Sequence, residues 1–397
     1  MKANAGSAGV DQQSIEDFEK DLKDNLYKIW NRMSSGSYFP PPVKAVPIPK
    51  KSGGARILNV PTVADRVAQT IVTLAFEPMV EPHFLPDSYG YRPNKSALDA
   101  VGITRQRCWQ YDWVLEFDIV GLFDNIPRDL LIKAVQRHTD CAWILLYLER
   151  WLTAPVQMPD GSKVERTSGT AQGGVVSPVL SNLFLHYAFD KWMQLHYPSM
   201  PWCRYADDGL VHCKTEKQAK EMLEALTKRF AECGLQLHPD KTRIVYCKDN
   251  KRRKKYPLTS FDFLGYTFRP REAMNSKTKA LFISFSPAVS NKAKQSMREK
   301  TRQCKWHLRS DLSLEDIADQ FNPVIQGWIN YYGCYGKTAL IPVGKHFNTV
   351  LVKWAMRKYK KLRTSFVDAA HYIEQTAKYH PKLFAHWSAG MKSVLIT

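Results

Sequence analysis

The sequence has neither the paired cysteines nor the long apolar runs that mark two common classes of protein. Its eight cysteines show no C-x-x-C spacing and no nearby pair of histidines, so we expect reduced, mostly buried thiols and no zinc site. No apolar run is long enough to span a bilayer, and the polar N-terminal residues do not resemble a signal peptide. We therefore expect a cytoplasmic protein without a membrane partner.

Acidic residues are scarce. The chain has 38 Asp and Glu against 57 Lys and Arg, which gives a formal net charge of +19 over 397 residues. Such an excess favours a polyanionic partner, and nucleic acid is the leading candidate. The excess is concentrated in residues 291–363, which hold 15 basic and 5 acidic residues. Hydrophobic residues make up 44% of the chain, enough for the cores of two or three domains.

Two strand patterns in the middle of the chain carry aspartates at their ends. The compact apolar run 113–119 predicts a buried strand with Asp118 near its C-terminal end. Residues 202–213 predict a strand, a turn and a second strand, with Asp207 and Asp208 at the bend. Rigid backbone would therefore hold all three carboxylates.

The three aspartates suggest a metal site. Asp207 and Asp208 alone could be ordinary turn residues. Their apolar neighbours place them at the end of a buried hairpin, where two carboxylates repel each other, and Asp118 could join them on an adjacent strand. Carboxylate oxygens suit Mg²⁺, with Mn²⁺ as a substitute, and two such ions catalyse nucleotidyl transfer. We expect Asp118 and Asp207 to bridge the ions, and Asp208 to be either a ligand or a support.

Other patterns mark the two ends of this region. Upstream, two β-branched runs flank a Lys-Lys-Ser-Gly-Gly stretch at 50–54 and predict a hairpin with a basic tip. Downstream, the spacing becomes typical of long helices, and we expect Ser286 and Pro287 to begin the first one. A domain boundary is therefore expected near residues 270–285.

Five motifs resemble, in order and spacing, the successive motifs of reverse transcriptases. They are "FDIVGLFDNI" at 117–126, "AQGGVVSPVLSN" at 171–182, "YADD" at 205–208, "LHPDKT" at 237–242 and "FLGY" at 263–266. More narrowly, the chain is similar to the reverse transcriptases encoded by bacterial group II introns. The stretches that carry this likeness are "GSAGVD" at 6–11, "IPKKSGGARILNVPTVADRVAQ" at 48–69, "DSYGYRPNKSALDAV" at 87–101 and "IQGWINYYG" at 325–333.

The resemblance implies an α+β protein with a right-hand polymerase fold. Fingers and a palm with an antiparallel sheet would be followed by an all-helical thumb or maturase domain. We assign 1–112 to an N-terminal segment and fingers, 113–272 to the palm with part of the fingers, 273–365 to the thumb, and 366–397 to a C-terminal tail. Relatives carry an upstream helical segment that we expect to be missing here, and no cysteine follows Cys334 for the Cys-paired nuclease domain of some members.

The resemblance also implies roles for individual residues. Phe123 matches the steric gate that selects deoxynucleotides, although it could be an ordinary core phenylalanine. The other matches are Gln172 against the incoming nucleotide, Lys50, Lys51 and Arg56 on its phosphates, Lys241 near the pyrophosphate, and Phe263, Leu264 and Gly265 in the primer grip. Solvated lysines and plain strand packing of Phe263 and Leu264 are the alternatives.

The implied function is RNA-directed DNA synthesis by a protein that also assists splicing of its host intron. The implied partners are an RNA template, a DNA primer, dNTPs and group II intron RNA. Two alternatives stay open from the sequence. One is a non-catalytic RNA-binding splicing factor that keeps the palm as a scaffold. The other is a domesticated reverse transcriptase in DNA repair or phage defence.

Overall fold

The computed structural model describes residues 6–49, 54–275 and 277–394. The chain divides into two compact units. Unit 1 comprises residues 1–100 and 113–244, and unit 2 comprises residues 101–112 and 245–397. No described helix has the length and apolar character needed to cross a membrane.

Unit 1 combines two sheets with surrounding helices. Its strands are β1 (Val43–Pro49), β2 (Ala55–Val60), β3 (Trp113–Phe117), β4 (Val156–Gln157), β5 (Lys163–Val164), β6 (Trp202–Tyr205), β7 (Asp208–Cys213) and β8 (Arg243–Tyr246). Its helices are α1 (Ile15–Lys20), α2 (Leu22–Ser34), α3 (Val63–Val80), α4 (Ala97–Gln110), α5 (Leu122–Asn125), α6 (Arg128–Gln136), α7 (Ala142–Thr153), α8 (Ser177–Leu185), α9 (Lys191–His196) and α10 (Glu216–Glu232). Two of these elements are shared, because residues 101–110 of α4 and 245–246 of β8 belong to unit 2.

The central sheet has the strand order β6-β7-β3-β8. Strands β6 and β7 form the expected hairpin, and β3 pairs antiparallel with β7, with Phe117 opposite Gly209. Phe117 packs against Phe189 and Phe230 in the core beneath the sheet. A Cβ on residue 209 would lie 2.1 Å from the Phe117 ring, so this position requires glycine. The register brings the end of β3 beside the start of β7.

The second sheet has the order β2-β1-β4-β5. Its first two strands form the predicted antiparallel hairpin, paired from Lys44 with Val60 to Pro49 with Ala55. The tip of that hairpin, including Lys50 and Lys51, lies outside the described residues.

Unit 2 combines a sheet with a helical core. An antiparallel sheet of order β11-β10-β9 is formed by β9 (Phe261–Phe263), β10 (Tyr266–Met274) and β11 (Leu281–Val289). The helices are α11 (Asn291–Gln303), α12 (Leu314–Tyr332), α13 (Ile341–Lys358), α14 (Phe366–Tyr379) and α15 (Ala385–Ser388). Trp306, Phe321, Phe347 and Trp354 form the centre of the helical core.

Two sequence-based expectations fail in unit 2. Ser286 and Pro287 do not begin a helix but lie in β11, so the stretch from 273 is not all-helical. The first helix begins at Asn291, where Ser290 accepts a hydrogen bond from the backbone N–H of Ala293. Residues from 366 are not a separate tail either, because one face of α14 is buried in the helical core. That face consists largely of alanines, whose small side chains give a weak hydrophobic pattern.

Candidate active site

The three predicted catalytic aspartates lie at the same end of the central sheet. Asp118 directly follows β3, Asp207 is in the turn between β6 and β7, and Asp208 is the first residue of β7. Because Phe117 pairs with Gly209, the residues that follow β3 and precede β7 are neighbours. The predicted position of these residues at strand ends is therefore confirmed.

The segment that carries Lys241 is held against the end of β3. The backbone N–H of His238 donates to the Asp118 carbonyl at 2.8 Å, and Ile119 bridges to Leu237. This contact lets Lys241 reach back over the sheet, where its Nζ donates to Asp118 Oδ2 at 2.6 Å. Lys241, which the resemblance places near the pyrophosphate, is thus in direct contact with the Asp118 carboxylate.

The carboxylates influence one another electrostatically. Burial, together with the charges of Asp207 and Asp118, raises the pKa of Asp208 to about 7. Burial also raises the pKa of Asp207, with a contribution from Asp118. Asp208 is nevertheless an exposed residue at the start of β7. The hydrogen bond to Asp118 raises the pKa of Lys241, and the Lys241 ammonium balances part of the negative charge.

These residues suit a hard divalent cation by their chemistry. Three mutually repelling carboxylates supply the oxygen ligands that Mg²⁺ prefers. In the part of the chain that the structure describes, no three His, Cys, Asp or Glu side chains are arranged closely enough to hold a metal ion. Lys241 occupies one Asp118 oxygen, so a bound cation would require the lysine and the aspartate side chains to rearrange.

A cleft of about 840 Å³ in unit 1 brings together predicted residues that are far apart in the sequence. Its lining includes Asp118 and Asp207 together with Arg56, Phe123, Gln172 and Lys241. Phe123 is only partly buried and faces this cleft, so it is not an ordinary core residue. Asn59 and Thr170, which sequence reasoning missed, also line the cleft and have buried side-chain oxygens without a hydrogen-bond partner.

A buried arginine that sequence reasoning also missed holds the turn that carries Asp207. Arg204 is fully buried and donates to Asp190 Oδ1 at 2.8 Å and Oδ2 at 2.7 Å. The same guanidinium donates to the Ala206 carbonyl at 3.1 Å and to Ser88 Oγ at 2.8 Å. An arginine inside an apolar strand pattern signals a buried partner, but the sequence does not show which residue that is.

The predicted primer-grip residues belong to unit 2. Leu264 and Gly265 form the two-residue turn between β9 and β10, with φ of +50° and +79°. Phe263 is buried in the sheet. Tyr331 OH donates to the Leu264 carbonyl at 2.8 Å, and a Cβ on residue 265 would lie 2.7 Å from Tyr332 OH. The turn is therefore fixed by α12 within its own unit.

Comparison with known proteins agrees with this arrangement. The family model "Reverse transcriptase (RNA-dependent DNA polymerase)" matches residues 48–268, and "Group II intron, maturase-specific domain" matches residues 294–371. Protein YkfC of Escherichia coli K12 is 30% identical over 306 residues, covering 66% of this chain and 76% of that protein. The group II intron-encoded protein LtrA of Lactococcus lactis subsp. cremoris is 24% identical over 411 residues, covering 83% of this chain and 66% of that protein.

A solved structure of telomerase from Candida albicans, in complex with a TWJ fragment of telomeric RNA, aligns with 96% of this chain and 68% of that chain. The identity is 13% and the TM-score is 0.47, so the family assignment rests on the sequence matches. Enzymes of the matched family generally use divalent metal ions. The chain belongs to the reverse transcriptase family of RNA-directed DNA polymerases, with a group II intron maturase-specific domain after the polymerase domain.

Proposed function

We propose that this chain extends a DNA primer with dNTPs on an RNA template, and that it binds group II intron RNA to assist splicing. The observation that supports the polymerase proposal is the convergence of Asp118, Asp207 and Asp208 beside the cleft lined by Arg56, Phe123, Gln172 and Lys241. The expected cytoplasmic location remains a prediction.

Asp118, Asp207 and Asp208 would hold two Mg²⁺ ions, for which Mn²⁺ could substitute. When bound, such ions lower the pKa of an attacking hydroxyl and neutralise the leaving pyrophosphate. Lys241 keeps the Asp118 carboxylate in place until the site fills, and its ammonium can then donate to a substrate phosphate. Asp208 would need to be ionised to bind a cation, which opposes the effect of its burial.

The other cleft residues would orient the nucleotide. Arg56 would donate to its phosphates, because a guanidinium matches phosphate geometry. Phe123 presents a rigid ring to the cleft and would exclude a ribose 2′-hydroxyl. Gln172 would lie against the incoming nucleotide. The assignment of Lys50 and Lys51 to phosphate binding remains a prediction from the sequence.

The polymerase proposal is tested by primer extension on matched RNA and DNA templates with Mg²⁺. We expect extension by the wild type on RNA and a loss of roughly 10³-fold or more in the Asp207→Ala, Asp208→Ala double variant, because the cation ligands are removed. Asp160→Ala, which changes an exposed loop carboxylate, is the matched control and should retain activity.

The same variants separate the alternatives. A wild type that binds intron RNA but does not extend primers would support the non-catalytic splicing factor. Unchanged extension by the double variant would contradict the assignment of the aspartates. In a splicing assay with the host intron, we expect the double variant to remain active, because the basic excess of residues 291–363 is unchanged. The domesticated role predicts a gene that lies outside any ribozyme sequence.

A further inference from the structure

The loop that carries Gln172 is bound to a buried glutamine on α3. Gln69 is 2% exposed, and its Oε1 accepts a hydrogen bond from the backbone N–H of Val175 at 2.7 Å. The same oxygen lies 3.3 Å from the backbone N of Val176. One side-chain oxygen therefore satisfies two successive amides at the end of the loop, just before α8 begins.

A buried aspartate fixes the orientation of that glutamine. Gln69 Nε2 donates to Asp65 Oδ2 at 2.8 Å. The other carboxylate oxygen, Asp65 Oδ1, accepts from Trp151 Nε1 at 2.7 Å and from Tyr38 OH at 3.0 Å. Because the backbone N–H groups of Val175 and Val176 can only donate, the amide oxygen of Gln69 must face the loop, and its amide nitrogen then faces Asp65.

The remaining contacts leave the loop little freedom. The backbone N–H of Asn59 donates to the Gln172 carbonyl at 2.8 Å, and Ser177 Oγ donates to the Ala171 carbonyl at 2.7 Å. Gly173 has φ +118°, and a Cβ there would lie 2.6 Å from the Asn59 carbonyl oxygen. The loop is thus held from β2, from α8 and from the buried Gln69.

We propose that Asp65 and Gln69 are positioning residues for the nucleotide site, which hold the loop of residues 170–176 so that Gln172 faces the cleft. Neither side chain lines the cleft, so both act through the loop backbone. The inference rests on the proposed polymerase function and adds two residues that the motif resemblance gave no role.

Loss of the shared acceptor should loosen the loop and weaken nucleotide binding. Gln69→Leu removes the acceptor of the partly buried Val175 N–H and the buried Val176 N–H, a cost that corresponds to roughly a 10-fold change in an equilibrium. We therefore expect the KM for dNTP to rise by roughly 10-fold with a smaller change in kcat, because the catalytic carboxylates keep their places. The affinity for template and primer should stay unchanged.

Exchanging the carboxylate and the amide between positions 65 and 69 should restore the hydrogen bonds of the loop while keeping the net charge. Gln69→Glu alone places a second carboxylate against Asp65 and should impair the loop by repulsion. Adding Asp65→Asn lets the new amide donate to Glu at position 69, while its oxygen still accepts from Trp151 and Tyr38. The double variant should recover a KM near that of the wild type. Val72→Ala is the control, because it makes a core cavity in the same helix without removing a hydrogen bond to the loop.

Hydrogen–deuterium exchange measures the loop independently of catalysis. In Gln69→Leu we expect the amides of residues 170–176 to exchange faster than in Val72→Ala. An unchanged KM with unchanged loop exchange, or a KM increase in Val72→Ala equal to that in Gln69→Leu, would overturn the proposal. A wild type that fails to extend primers would instead overturn the proposed function, and loop exchange would still decide whether Gln69 holds the loop.

Discussion

At the scale of single residues, a buried charge stabilises the fold only when an opposite charge is buried beside it. Arg204 and Asp190 are both fully buried and neutralise each other through two hydrogen bonds. Removing one member of such a pair leaves an isolated charge in the core, whereas removing both can be nearly neutral. Arg204 differs from a purely structural member because it also donates to the carbonyl that precedes Asp207. Variants of Arg204 and Asp190 can therefore separate the contribution of Arg204 to stability from its contribution to the geometry of the turn.

We predict that Arg204→Met lowers the free energy of unfolding by about 3–5 kcal/mol, because Asp190 is left unpaired. The Arg204→Met, Asp190→Leu double variant should regain most of that stability in urea unfolding. It should still extend primers slowly, because the Ala206 carbonyl has lost its donor. A double variant that regains both stability and full extension rate would show that Arg204 acts through stability alone.

At the scale of elements, the sequence predicts a strand correctly where an apolar run of strand length ends in turn-forming residues. The hairpin around Asp207 and the strand before Asp118 were identified because both combine compact apolar runs with a polar end. The sequence predicts a helix start in β11 because Ser286 and Pro287 resemble a helix N-terminus, and this prediction is wrong. Pro287 is tolerated in this strand because β11 lies at the edge of its sheet, where the missing N–H of a proline removes no hydrogen bond to a neighbouring strand.

The two-residue turn between β9 and β10 places a non-glycine residue in the left-handed conformation. Leu264 adopts a left-handed conformation that costs a residue with a Cβ roughly 1–2 kcal/mol. Its carbonyl accepts a hydrogen bond from Tyr331 OH on α12, which helps to hold the turn. The motifs at 263–266 and 325–333 are thus linked by a specific contact within unit 2.

We predict that Tyr331→Phe destabilises unit 2 by about 1 kcal/mol, because the Leu264 carbonyl loses its donor. If this turn is the primer grip, the variant should also bind a primer terminus more weakly in a titration with labelled template-primer. Tyr379→Phe, which alters an exposed hydroxyl on α14, is the matched control. Equal primer affinity in both variants would contradict the coupling of α12 to the turn.

At the scale of the whole molecule, the sequence predicted the site better than the contacts that support it. Arg56, Phe123, Gln172 and Lys241 line one cleft although 185 positions separate the first from the last. Only the ordered motifs made that grouping predictable. The links between Asp65 and Gln69, and between Arg204 and Asp190, could not be foreseen, because one sequence does not reveal which distant polar groups meet in a core.

A buried neutral histidine also contributes to the stability of unit 2. His386 is 2% exposed, and burial lowers its pKa to about 3. Asn348 Oδ1 accepts from Trp387 Nε1 at 2.8 Å and lies 2.7 Å from His386 Nε2, so that nitrogen carries the proton. The other ring nitrogen, Nδ1, is buried without a hydrogen-bond partner. Protonating it would place an unpaired charge among the aromatic rings of Phe347, Phe384 and Trp387.

This depressed pKa gives a pH dependence with a definite sign. An unfolded chain protonates histidine below about pH 6.5, whereas the native state does not until about pH 3, so acid favours unfolding between these values. The contribution of His386 is complete above pH 6.5 and declines by about 1.4 kcal/mol for each unit of acidification. Urea unfolding followed by tryptophan fluorescence at pH 7 and pH 5 should show a smaller acid loss in His386→Gln than in the wild type. His380→Gln, at an exposed position, should keep the wild-type loss, and equal losses in all three proteins would show that His386 is not the source.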